Sequence, residues 1–265
     1  MQTTPDTAQP APTSLWEPVR LVVVATRFLT RLPLPEPTFR DGDLRRATGA
    51  FPLVGIFVAA WGIAAYALVE PLWGVAVAVI VATAVEVGVT GAFHEDGLAD
   101  VADGLWGGWT VEDRLRIMRD SRLGTYGTVA LVGVLALRVA LLGGLDPSWF
   151  WRATLVGHVT GRASILVMIR LLPPADEGGS GAQVSDPTGP LGSTVALLTT
   201  GVVALLALGV HGWIVVAAAV LPILLTTVLY RRRLGGITGD ALGATNQLVH
   251  VAVLAAVALL PGATA

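Results

Sequence analysis

The chain has 265 residues, 54% of them hydrophobic and only 14% charged, against roughly a quarter charged in ordinary soluble domains. That balance excludes a water-soluble globule, whose surface must be polar enough to stay dispersed. A net charge of −2 gives no basic face for nucleic acid, and the absence of cysteine excludes disulfides and thiolate metal sites.

Residues 1–14 are polar and rich in Pro and Thr, which predicts a disordered tail ahead of a single integral membrane domain over 15–265. From 15 to 32 the sequence places Arg20, Arg27 and Arg31 among aliphatics at spacings of seven and four. A helix lines these up on one face, which predicts an interfacial N-terminal helix. Apolar runs long enough to span a bilayer follow near 51–69, 72–93, 124–145, 149–172, 193–210, 213–230 and 245–260. The expected fold is therefore all-α, a polytopic membrane helix bundle of about seven transmembrane helices. Pro71, Asp146-Pro147 and His211-Gly212 are the expected turns between consecutive spans.

Taken in order, these spans put the segments up to 50 and at 94–123, 173–192 and 231–244 on one side of the membrane. Every loop Arg falls on that side, so the positive-inside rule makes it cytoplasmic. Nearly all the polar sequence lies there too, which predicts an active site facing the cytoplasm. The Gly- and Pro-rich 173–192 segment reads either as a lid or as a linker.

The chemistry-bearing stretch is 90–108, TGAFHEDGLADVADGLWGG. Asp96, Asp100 and Asp103 stand at i, i+4 and i+7, on one face of a helix. Like charges so placed repel, and a hard cation that also binds phosphates relieves them; Mg²⁺ suits best. A solvated acidic face is the plain alternative for a single carboxylate, less so for a triplet between an apolar span and a Gly-rich turn. His94 serves equally as a ligand or as a structural hydrogen-bond partner, and Glu95 extends the acidic run. A second segment, GGITGDALGATNQ at 235–247, places Asp240 beside Gly239, where backbone can approach a phosphate. In EDRLRIMRDSRLGTYG at 112–127, Arg119 and Arg122 are candidate phosphate clamps, although Arg near a span is also expected from topology. Asp120 most simply pairs with a neighbouring Arg. Glu86, Arg138, His158, Arg162 and Arg170 fall inside spans, where ionisable groups face the bundle interior. Of these Arg162 is the better candidate for lining a site, while Arg138 is expected far from the acidic cluster.

HEDGLADVADG, together with FLTRLP at 28–33, FPLVG at 51–55, DSRLGTYG at 120–127, Gly161-Arg162 and GGITGDALGA at 235–244, resembles the cobalamin synthase (adenosylcobinamide-GDP ribazoletransferase) family. The resemblance runs from about Phe28 to the last span. It implies an inner-membrane, Mg²⁺-dependent enzyme that moves the adenosylcobinamide phosphate moiety of adenosylcobinamide-GDP onto α-ribazole or α-ribazole 5′-phosphate, releasing GMP. It maps Asp96, Asp100, Asp103 and Asp240 onto the family's acidic motif positions and His94 onto its motif histidine. The chemistry then expects these aspartates to hold metal, one of Asp96, Asp100, Asp103 or His94 to assist deprotonation, and Arg119, Arg122, Arg162 and Gly239 to contact the substrate. Two positions depart from the pattern: Glu95 stands where an apolar residue is expected, and His250 where relatives often carry a carboxylate. The sequence leaves open whether the chain forms a homo-oligomer.

Two other readings share some of these features. A CDP-alcohol-type phosphatidyltransferase also holds metal on membrane-edge aspartates, but with wider pairing than the 96–103 triplet. A secondary transporter would account for the intramembrane Glu86, Arg138, His158 and Arg162, yet the sequence has no internal repeat and its acids cluster at one edge.

Overall fold

The computed structural model describes residues 16–175, 184 and 189–264, so the expected tail and most of the 173–192 segment lie outside the described residues. Helices occupy nearly all of what is described. They are α1 (Glu17–Leu29), α2 (Asp43–Ala47), α3 (Phe51–Thr90), α4 (Phe93–Gly107), α5 (Val111–Met118) and α6 (Thr125–Gly143), then α7 (Phe150–Leu171), α8 (Pro190–Leu208), α9 (Gly212–Ala217), α10 (Val220–Arg233) and α11 (Gly239–Ala258). Among the described residues the only extended pairings are isolated bridges, Leu145 with Thr264 and Pro174 with Ile237.

Asp43–Thr90, Thr125–Gly143, Pro190–Arg233 and Gly239–Ala258 are long and apolar enough to cross a membrane by length and composition. The first and third are too long for a single crossing, since about 20 residues suffice. Both fold back on themselves. In α3 the reversal sits at Gly74, at φ +77°, a backbone conformation that glycine adopts without steric cost. Gly62 and Glu86, twelve residues either side of Gly74, consequently meet: a methyl group at 62 would overlap the Glu86 carboxylate. Pro71, the expected turn, stays within the helix, because its fixed φ is compatible with helical geometry. The second reversal lies near Gly209, at φ +58°, and brings the Trp213 ring onto Gly201.

α1 is amphipathic, as expected, and buries Val24, Ala25 and Leu29. Its Arg20 bridges Glu17 (2.8 Å) and Asp43 (2.5 Å), which fixes α1 to α2 at the entrance to α3.

α11 is the central helix: 67% of its most apolar stretch is buried, against 17–28% for the other candidate spans. It packs chiefly on α4 and α7, and α7 in turn packs on α3. Small residues permit these crossings. A Cβ on Gly55 would lie 2.8 Å from the His158 carbonyl, and one on Gly157 would lie 2.5 Å from the His250 ring. Arg31 N–H bonds the Val89 carbonyl, and the segment after α7 pairs with Ile237. Those junctions, with the loops between α4 and α6, gather at one end of the bundle. Asp146 N–H bonds Ala263 at the other.

Candidate functional site

α4 begins with two residues in the left-handed region, Gly91 at φ +65° and Ala92 at φ +58°. Ala92 is the only non-glycine at positive φ among the described residues. This turn reverses the chain sharply out of α3 and delivers the acidic helix against α11. A methyl on Gly97 would lie 2.8 Å from the Asp240 carbonyl oxygen, so the two backbones touch where the acids are. On the α11 side, Thr238 caps the helix by accepting from Ala241 N–H (3.1 Å), which places Asp240 in the first turn.

The predicted carboxylates come together but do not play equal parts. Asp96 is exposed, Asp100 and Asp240 are half-buried, and Asp103 is 8% exposed. Partial burial raises the Asp100 pKa to about 7, with the charges of Asp96, Asp240 and Asp103 adding to it. Its carboxyl is thus the electrostatic focus of the cluster. Asp103 is committed: it accepts from Gly124 N–H (2.7 Å) and Gly127 N–H (2.9 Å), the first amide groups of α6. It joins the acidic helix to α6 and answers the positive end of that helix. The donor set is all oxygen, which suits a hard divalent cation, and such an ion would relieve the crowding at Asp100. No group of three His, Asp or Glu side chains converges tightly enough to chelate one among the described residues.

His94 is 2% exposed, and its Nε2 has no hydrogen-bond partner. Burial, and then the nearby Arg162 charge, holds the imidazole well below its usual range, so it is neutral. It borders an apolar crevice with Phe28, Phe51, Phe93, Gly239 and Leu242, immediately beside the start of α11.

The arginines divide. Arg122 is exposed and paired with Asp120 (2.6 Å), as the sequence suggests for that aspartate. Arg119 is exposed on the same segment. Arg162 is 1% exposed and donates to His158 Nδ1 (3.0 Å), so it lies in the bundle interior and not on the open acidic face.

Beneath the acidic face lies a buried polar core that the sequence only hints at. Arg138 pairs with Glu86, lies 3.2 Å from His158 Nε2 and approaches Glu95 at 3.9 Å. Arg138 thus belongs to this interior network, and on α4 it approaches Glu95, in the helix's first turn. Glu95 turns away from Asp96 and accepts from Gln247 Nε2 of α11 at 2.8 Å. Arg138 and Arg162 against Glu86 and Glu95 make the core formally neutral. The sequence signals for it are the ionisable residues inside spans, Glu86, Arg138, His158 and Arg162, and the unexpected charge at 95. The close-approach glycines at 97, 124 and 127 carried no signal beyond their neighbourhood to acids.

The family model described as cobalamin-5-phosphate synthase matches residues 21–258. Curated relatives named adenosylcobinamide-GDP ribazoletransferase include that of Shewanella pealeana, 41% identical over 240 residues, covering 86% of this chain and 91% of the relative. Those of Sinorhizobium medicae and Rhizobium meliloti are each 40% identical, covering 90% and 92% of this chain and 95% and 97% of theirs. No solved structure matches.

Proposed function

The chain belongs to the cobalamin-5-phosphate synthase family, and from that premise we propose that it transfers the adenosylcobinamide phosphate moiety of adenosylcobinamide-GDP to α-ribazole or its 5′-phosphate. The observation that carries the reading is the backbone contact at Gly97, which sets the helix bearing Asp96, Asp100 and Asp103 against the first turn of the helix bearing Asp240.

In this reading a ribose hydroxyl of the acceptor attacks the phosphorus nearer the corrinoid. A new P–O bond forms, the bond to the GMP phosphate oxygen breaks, and GMP leaves with the electron pair. The hydroxyl proton passes to a carboxylate of the open face. Asp96, Asp100 and Asp240 are the residues that would hold Mg²⁺, which when bound neutralises charge on the diphosphate and on the leaving group. Asp103 fixes the register of α4 against α6, Arg119 and Arg122 offer exposed guanidinium groups to phosphate oxygens, and Gly239 admits the substrate close to the α11 backbone. The chemistry is assigned to the cytoplasmic side of the inner membrane, in keeping with the Arg distribution.

The test is GMP release by the purified, detergent-solubilised protein supplied with adenosylcobinamide-GDP and α-ribazole, with Mg²⁺ and then with EDTA. Metal-dependent release coupled to cobalamin formation is expected. Folded protein inactive with both ribazole and its phosphate would overturn the substrate assignment.

A further inference from the structure

Below the acidic site, the end of α4, the link to α5 and the last turn of α10 enclose a cleft of about 170 Å³. Leu105, Trp106, Trp109, Arg114, Leu229 and Arg233 line it. None of them has a role in the transfer reaction described above.

Arg114 is the unusual element. It is 7% exposed, yet among the described residues no carboxylate lies within ion-pair distance of it. Its Nη1 and Nη2 donate to the carbonyls of Arg233 (3.0 Å) and Trp109 (2.9 Å), while Nε has no partner. Carbonyl dipoles satisfy part of the hydrogen bonding but leave the charge without a counter-ion, and a buried cation is costly in that condition. A Cβ on Gly108 would lie 2.7 Å from both the backbone N and the Cγ of Arg114, so glycine there lets the end of α4 close onto the start of α5. Arg233 brings a second guanidinium, exposed, to the same cleft.

The surroundings specify which anion fits. Trp106 and Trp109 are 61% and 90% exposed at the rim, the amphipathic residues favoured where bilayer meets water. Leu221, Leu224, Leu225 and Val228 are exposed on α10, and the row Leu221, Leu225, Leu229 continues in steps of four to Arg233 at the cleft. A ligand that fills both parts carries a phosphate directly beside acyl chains. The candidate membrane span Pro190–Arg233 ends at this cleft, so an anion held there lies at the depth of lipid headgroups.

We propose that this cleft binds the headgroup phosphate of an anionic phospholipid, between Arg114 and Arg233, with its acyl chains along the Leu221–Val228 face. The lipid would brace the C-terminal end of α4, the helix that carries the acidic motif, against α10.

The experiment uses the full-length protein in detergent. Native mass spectrometry counts retained phosphatidylglycerol against phosphatidylcholine, and thermal melting is followed with each lipid. Phosphatidylglycerol is expected to be retained preferentially and to raise the melting temperature more. Arg233→Ala should lose the preference by roughly tenfold, the worth of one charge-assisted hydrogen bond. Arg233 is exposed, so this variant leaves the fold intact where Arg114→Met risks misfolding. Arg232→Ala removes an equal charge from outside the cleft and should keep the preference. Equal retention of both lipids, or equal losses in Arg232→Ala and Arg233→Ala, would overturn the proposal. So would displacement of the bound lipid by GMP, which would make the cleft a nucleotide site.

Discussion

Gly97 and Asp240 stand in backbone contact, with space for a hydrogen but not for a methyl group between the acidic helix and the carbonyl of the second acidic segment. The distance between the two halves of the site is therefore set by the missing side chain at 97. Gly97→Ala is favourable for an isolated helix, since alanine gains up to about 1 kcal/mol over glycine in a helix interior. Here it must push α4 and α11 apart. The expected result is a loss of transferase activity of at least tenfold in protein that still elutes as a monodisperse, folded species. Full activity would mean that the approach of these helices is incidental to catalysis.

Asp103 and Asp96 belong to one motif but should fail in different ways. Asp103 accepts the first amides of α6, whereas Asp96 is exposed. Loss of a capping carboxylate costs about 0.5–2 kcal/mol, roughly 1–8 °C in a chain of this size. Melting curves should therefore show Asp103→Ala destabilised by that amount and Asp96→Ala unchanged, with both variants impaired in GMP release. Equal melting temperatures would deny Asp103 its structural part.

The helix boundaries were legible because hydropathy and length decide what can lie in a bilayer, and the chain reverses close to where its apolar runs are punctuated. The reversal at Gly74 in place of Pro71 was not, because a tight reversal needs positive φ, while proline's φ fits a helix. The spacing of Asp96, Asp100 and Asp103 placed all three on one helix but did not tell that Asp103 is turned to the first amides of α6. What escaped were relations between residues distant in sequence. Nothing local to Glu95 names Gln247 as its partner, 152 positions on.

Asp100 should make stability depend on pH. Its pKa is raised to about 7 in the folded chain, by burial first and by neighbouring carboxylates second, from 3.8 when free. Between those values the native state holds a proton that the unfolded state releases, so its contribution is full below about pH 4 and is lost as pH rises through about 7. His94 acts in the opposite sense, being neutral when folded and protonated below about 6.5 when unfolded. The comparison that isolates Asp100 is wild type against Asp100→Asn, both in EDTA. The wild-type melting temperature should fall relative to the variant between about pH 4 and pH 7 and run parallel to it above. Added Mg²⁺ should remove the difference by favouring the ionised carboxylate. Parallel pH profiles in EDTA would show that Asp100 titrates normally.

The Glu95–Gln247 bond joins the two acidic helices from below, and its partners determine how it can be tested. Glu95 accepts from Gln247 and stands 3.9 Å from Arg138, within a core whose guanidinium groups need both of its carboxylates. Glu95→Ala removes the hydrogen bond and leaves that core with excess positive charge, a change that costs about 3–5 kcal/mol when a buried pair is broken. Such a variant is expected to express poorly or melt early, which alone would not separate a positioning role from general damage. Gln247→Leu keeps the charge and removes only the tie. It should retain most of the stability while activity falls and the Mg²⁺ concentration for half-maximal stabilisation against heat rises, since Asp240 is then less well held beside Asp100. The exchange Glu95→Gln with Gln247→Glu restores both the hydrogen bond and the net charge of the core, and should recover activity beyond what either single variant retains. Gln247→Leu with unaltered Mg²⁺ response, or an exchange no better than its worse parent, would reduce the bond to a packing detail.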